Sequence, residues 1–163
     1  MDPNEIRRLL GTAETLSREK SSTPEAFLVA FVAWEGLKFR ILLVGYAARG
    51  VKVAEARHLI RDADIWNIRN YNALFELLFG ARPQNAPQVG RLFNALDGAM
   101  RLRNRFVHGA GRAAPVQFRT AYENICRATD ADWESALSKL LAKQGLRPKV
   151  TNPLNRIRVT AQS

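Results

Sequence analysis

Between Pro24 and Arg49 the chain carries two apolar stripes at helical spacing: Phe27, Phe31, Trp34, Leu37, Ile41 and Val44 on one, Leu28, Val32, Phe39, Leu42 and Tyr46 on the other. A helix that is apolar on nearly every side is stable only when other elements cover it all round. The segment is therefore the centre of the core, and the rest of the chain has to supply its cover. A bilayer is not that cover, because Glu35, Lys38 and Arg40 interrupt the run, at roughly 2.5–3.5 kcal/mol each in a membrane midplane. Glu35 also breaks the second stripe, so its carboxylate needs an ion pair, a hydrogen bond or a proton.

The covering segments read as helices too. Asp2-Pro3-Asn4-Glu5 supplies a cap, a first-turn proline and an acid, starting a helix that runs to about Lys20 with Ile6, Leu9, Leu10, Ala13 and Leu16 on one face. Ser21 to Glu25 ends it and caps the central helix, which stops at Arg49-Gly50. Val53 to Phe79 stays helical but splits near Arg61 to Asp64. Its short part holds His58, on the surface or in the core, and its longer part runs through Ile65, Trp66, Ile68, Leu74, Phe75, Leu78 and Phe79. After a loop over Gly80 to Gln88, marked by Pro83 and Pro87, a late helix runs from about Ala86 to His108. Another follows behind Ala114 and Pro115, bends at Thr129 to Asp132, whose polar run looks like a fresh N-cap, and closes at Gly145.

No stretch alternates with period two long enough to make a strand, so the fold class is an all-α bundle of about five to six helices. With 163 residues, 47% of them apolar, the chain fills one core and not two. We place the helical domain at 1–145. Residues 146–163 form a basic tail with Arg147, Lys149, Arg156, Arg158 and no acid, either without fixed structure or lying on a phosphate backbone or a partner.

Lysine and arginine outnumber aspartate and glutamate by 25 to 15, a formal charge of +10, which makes a polyanion the natural partner through counterion release. Cys126 is the only cysteine and has no internal disulfide mate. The N-terminal residues show neither a basic flank nor an apolar signal core, so the expected compartment is the cytoplasm. There is no phosphate loop, nucleophile elbow or metal-ligand spacing, so no cofactor and no metal are expected.

Any chemistry is expected in Arg101 to Gly111, where Arg101, Arg103, Asn104, Arg105 and His108 run into Gly109 and Gly111. On a helical wheel Leu92, Leu96, Ala99, Met100, Phe106 and Val107 form an apolar face, opposite Asn94, Asp97, Arg101, Asn104, Arg105 and His108. Arg103 falls in the middle of the apolar face, a poor place for a guanidinium without a reason. Either it is buried and paired with Glu35, or it points into a cleft or dimer interface where an anion is held.

Arg103-Asn104-Arg105-Phe106-Val107-His108 resembles the signature of the HEPN superfamily, an arginine, four to six residues and a histidine, in the form with asparagine directly after the arginine. Arg101 also satisfies the spacing to His108; Arg103 is preferred because Asn104 follows it. HEPN domains are similar all-α folds of this size, with the motif near the end of a long late helix that another long helix follows.

The resemblance implies a metal-independent endoribonuclease, often a toxin or defence effector, active as a homodimer in which two motifs face one cleft. Arg103, Asn104 and His108 are then catalytic, and an antitoxin or larger defence complex is a further partner. Cutting RNA through its own 2′-hydroxyl needs a base, an acid and positive charge at the phosphorane, and His108 from two subunits supplies the first two. Arg103 neutralises the phosphate, and Arg101, Arg105 and Arg112 track the RNA backbone.

Arg103 and His108 lie about 140° apart on an ideal helix, so facing one cleft requires the helix to unwind between them. The match departs from one HEPN branch, in which an antitoxin modifies a tyrosine two residues after the histidine; here that position is Ala110. Two other readings stand beside the enzyme: a HEPN-type helical module that binds RNA or a protein without cutting, and a helical DNA-binding protein.

Overall fold

Asp2 opens α1 (Pro3–Arg18) by accepting hydrogen bonds from the backbone N–H groups of Asn4 (2.7 Å) and Glu5 (3.0 Å), while the Glu5 carboxylate accepts one from the Asp2 N–H (2.8 Å). Donors that no helical turn satisfies are thus met locally, as the first residues lead one to expect. The structure is a computed structural model that describes residues 1–19, 23–109 and 113–147. Of the sequence readings above, those on Ala110, Gly111, Arg112 and nearly all of the basic tail lie outside the described residues.

The central helix, α2 (Thr23–Ala48), is buried along its whole length, with Phe27, Trp34, Leu37, Ile41 and Leu42 at 1% exposure or less. It packs on α1, α3 (Val53–Asp62), α4 (Ile68–Phe79), α6 (Pro115–Thr129) and α7 (Trp133–Lys143). α5 (Gly90–Val107) lies on α6 and on a 3-10 turn at Pro83–Asn85, and it reaches α2 through large side chains. The ring of Phe93 on α5 is the hub: Trp34, Tyr71, Phe75 and Trp133 lie 5.4–6.3 Å from it, centroid to centroid. Burial of five such rings in mutual contact supplies both area and the edge-on geometry that aromatic quadrupoles favour.

The described residues form seven α-helices and no strand, one or two helices more than the sequence reading allowed. Both breaks fall where the sequence reading put a split and a bend, and both have local causes. Asp64 takes a left-handed turn (φ 47°) after α3, and the Asn67 side chain then accepts from the Arg69 N–H (2.9 Å) to start α4. Trp66 is thereby left outside the helix and 66% exposed, where its place in the periodic pattern suggested the core.

Asp132 likewise accepts from the Ser135 N–H (3.1 Å) and starts α7, making the suspected bend a full break. No described helix is long and apolar enough to cross a membrane.

α5 starts at Gly90 and not near Ala86. A Cβ at Gly90 would sit 2.1 Å from the backbone oxygen of Gln84, so the close approach of the 3-10 turn requires glycine there. Its core face also differs from the wheel. Phe93, Leu96, Ala99 and Leu102 are buried at steps of three, whereas Phe106 and Val107 are 40% and 52% exposed.

Candidate functional site

Because α5 meets α2 through side chains and not backbone, a cavity of about 720 Å3 remains between α2, α3 and the C-terminal half of α5. Leu28, Phe31, Val32, Phe39 and Leu43 of α2 give it an apolar wall, and Met100 and Val107 of α5 face them. Four guanidinium groups also line it: Arg40 from α2, Arg57 and Arg61 from α3, and Arg103 from α5. The single acid among the lining residues is Glu35.

Glu35 is not the partner of Arg103 that the sequence suggested. Its carboxylate accepts from the Lys38 ammonium, three residues along the same helix, at 3.0 and 3.2 Å. Lys38 is 1% exposed and sits 4.9 Å over the Tyr71 ring, so the pair is closed off from water on the core side. Burial pushes the Glu35 carboxyl up from the usual glutamate range, while Lys38 and, more remotely, Arg103 pull it down. The local lysine wins because it is already held on the same helix face and loses little freedom in making the pair.

Arg103 is therefore not consumed by an acid. It is half-buried, stands 5.8 Å over the Phe31 ring, and donates from Nη1 to the Asn104 side-chain oxygen at 3.1 Å. Asn104 lines the cavity beside it. Of the two arginines that fit the histidine spacing, Arg103 is the one joined to Asn104 and turned into the cavity, whereas Arg101 is exposed and lies off it.

His108 is the residue that closes α5. Its backbone N–H still donates to Asn104 at 3.0 Å, and Gly109 follows in the left-handed region (φ 66°), ending the helix. The expected unwinding between Arg103 and His108 is absent: α5 is regular through Val107, and His108 is exposed and not among the cavity-lining residues. Within one chain the two residues do not converge.

Asn104 links them, because it borders the cavity and, four residues before His108, shares its stripe of the helix. Arg101 and Arg105, both exposed, complete that stripe. Phe106, on another side, packs its ring edge-on against Phe118 of α6 at 5.1 Å and fixes the end of α5.

His58 lies exposed on α3. Sequence reasoning missed Arg40, Arg57, Arg61 and Trp66 as lining residues. Arg57 and Arg61 are four apart and so share a face of α3, a legible signal, but what that face looks onto is set by tertiary packing. Among the described residues there is no group of three or more His, Cys, Asp or Glu placed to hold a metal ion. No family model, curated protein or solved structure matches the chain.

Proposed function

We propose that this chain is a HEPN-type endoribonuclease, cytoplasmic, independent of metal, and acting as a homodimer in the manner of a toxin or defence effector. The observation that carries this reading is the state of Arg103: half-buried, bonded to Asn104, without an ion pair to Glu35, and on the same helix end as an exposed His108. With no contact acid to answer its charge, that guanidinium is placed to take a phosphate.

In the reaction we propose, an imidazole takes the proton of a 2′-hydroxyl, whose oxygen attacks the adjacent phosphorus. The bond from phosphorus to the 5′-oxygen breaks, and that oxygen takes a proton from the imidazolium of the partner's His108. The products are a 2′,3′-cyclic phosphate and a free 5′-hydroxyl. Arg103 neutralises the phosphorane, Asn104 orients the phosphate or the imidazole, and Arg101 and Arg105 hold the flanking backbone.

Since Arg103 and His108 of one chain do not converge, a second subunit is needed to bring an imidazole to each guanidinium. The test is purified protein with RNA in the presence of a chelator. We expect cyclic phosphate ends, and loss of cutting in His108→Ala with the helical circular dichroism unchanged. Undiminished cutting by that variant would remove the assignment.

The regular winding of α5 favours one other reading, a HEPN-like module that binds RNA or a protein without cutting. It predicts RNA retention by both wild type and His108→Ala, and intact RNA in every reaction.

A further inference from the structure

The charge around the cavity is unbalanced in a way that the ribonuclease reading leaves unused. Arg57 and Arg61 are exposed and make no hydrogen bond or ion pair among the described residues. Arg40 donates to the Met1 carbonyl at 3.3 Å. Burial lowers its pKa first; Asp2 opposes that, and the like charge of Arg57 adds to it. Arg40 is thus answered by Asp2 and Met1, but Arg57, Arg61 and Arg103 remain on one opening whose lining acid, Glu35, is already paired with Lys38. Arrangements of like charge persist where an anion is meant to sit between them.

The anion has to carry an apolar body. Phe39, Val32 and Leu43 line the same space, and Trp66, 66% exposed, stands at its edge. A phosphodiester backbone lying on the rim would leave that wall dry and unfilled. The basic tail (146–163) has no acid to offer such a cluster. The volume, about 720 Å3, falls inside the ~300–1,000 Å3 range of small-molecule sites.

We infer that this cavity binds a small phosphate monoester carried on an apolar or aromatic body, its phosphate between Arg57, Arg61 and Arg103 and its body against the α2 wall. A dianionic head suits several guanidiniums better than a single carboxylate does, because each planar fork donates to two of its oxygens. Occupancy covers Arg103 and Asn104, so the ligand also excludes RNA, a consequence that rests on the ribonuclease reading as the binding itself does not.

The test is calorimetric titration of the full chain, with no RNA present, using octyl phosphate, 1-naphthyl phosphate and inorganic phosphate. We expect at least one ester to bind with a Kd of about 50 µM or tighter, and inorganic phosphate at least roughly 20-fold more weakly. Binding of the octyl ester points to a lipid-like source and of the naphthyl ester to a nucleotide-like one; either supports the site.

The exposed pair Arg57→Ala/Arg61→Ala should weaken the ester by about 100-fold while circular dichroism stays unchanged. Equal affinity for ester and inorganic phosphate, or an unaffected double variant, overturns the proposal. Either result leaves RNA cutting to be decided by its own assay.

Discussion

The Lys38 ammonium and the Glu35 carboxylate form a 3.0 Å ion pair one turn apart on α2, with the lysine 1% exposed and the glutamate at the floor of the cavity. Two charges withdrawn from water are tolerable together and expensive apart. Glu35→Leu, which strands the ammonium in the core, is expected to destabilise by about 3–5 kcal/mol in urea unfolding. The double variant Glu35→Leu/Lys38→Met should lie within about 1–2 kcal/mol of wild type, because no charge is left to desolvate. A double variant as unstable as the single one would show that the pair is not what sets the stability there.

Glu35 also makes stability depend on pH. Its folded-state pKa is raised, by burial first, so the folded chain holds this proton more tightly than the unfolded chain does. With more protons bound in the native state, stability falls as pH rises from the ordinary glutamate range through the raised value. The Gln variant has no such proton. The wild-type unfolding free energy minus that of Glu35→Gln should therefore decline across that window, measured from urea midpoints at a series of pH values. A difference that stays flat, or grows with pH, would contradict the sign.

Two glycines of α5 should respond in opposite directions to the same change. At Gly90 an added Cβ would meet the Gln84 carbonyl oxygen at 2.1 Å, a contact with backbone that no rotamer relieves. Gly90→Ala should therefore destabilise by about 3 kcal/mol or more. Gly98 is exposed and has no atom within 4 Å of the built Cβ, so Gly98→Ala should stabilise by roughly 0.5–1 kcal/mol through lost unfolded-state freedom. Thermal unfolding of the two proteins side by side reads both.

Arg103 and Arg101 both satisfy the spacing to His108, and the structure separates their surroundings. Under the ribonuclease reading Arg103→Ala should lower cleavage about 10²–10³-fold, as loss of a group that stabilises transition-state charge does. Arg101→Ala, an exposed backbone contact, should cost no more than about 10-fold and be masked as salt is raised. Reversed magnitudes would make Arg101 the motif arginine.

What the sequence made legible is what local chemistry decides. The Asp2–Glu5 cap, the apolar α2 and the Asp132 start of a last helix follow from residue types at fixed offsets, and each appears in the structure. The wheel for α5 failed at its end. It placed Phe106 and Val107 inside and passed over Phe93, because periodicity ranks residues by type and cannot know where the neighbouring helices stop covering a face. The Arg103–Glu35 pairing failed for the related reason that Lys38 was nearer along the same helix than any residue of another one. The arginines of α3 were visible as residues and invisible as a site, since only the packing of α3 against α2 turns them onto the cavity.

The packing of α2 on α1, α3, α4, α6 and α7 ties most of the bundle to one helix, and its cover is incomplete beside the cavity. Withdrawing that helix uncovers the apolar sides of all its neighbours at once, so fluctuations that expose its amides to solvent require the entire bundle to let go. The end of α5 lies outside that packing and carries His108 beyond the last helical turn.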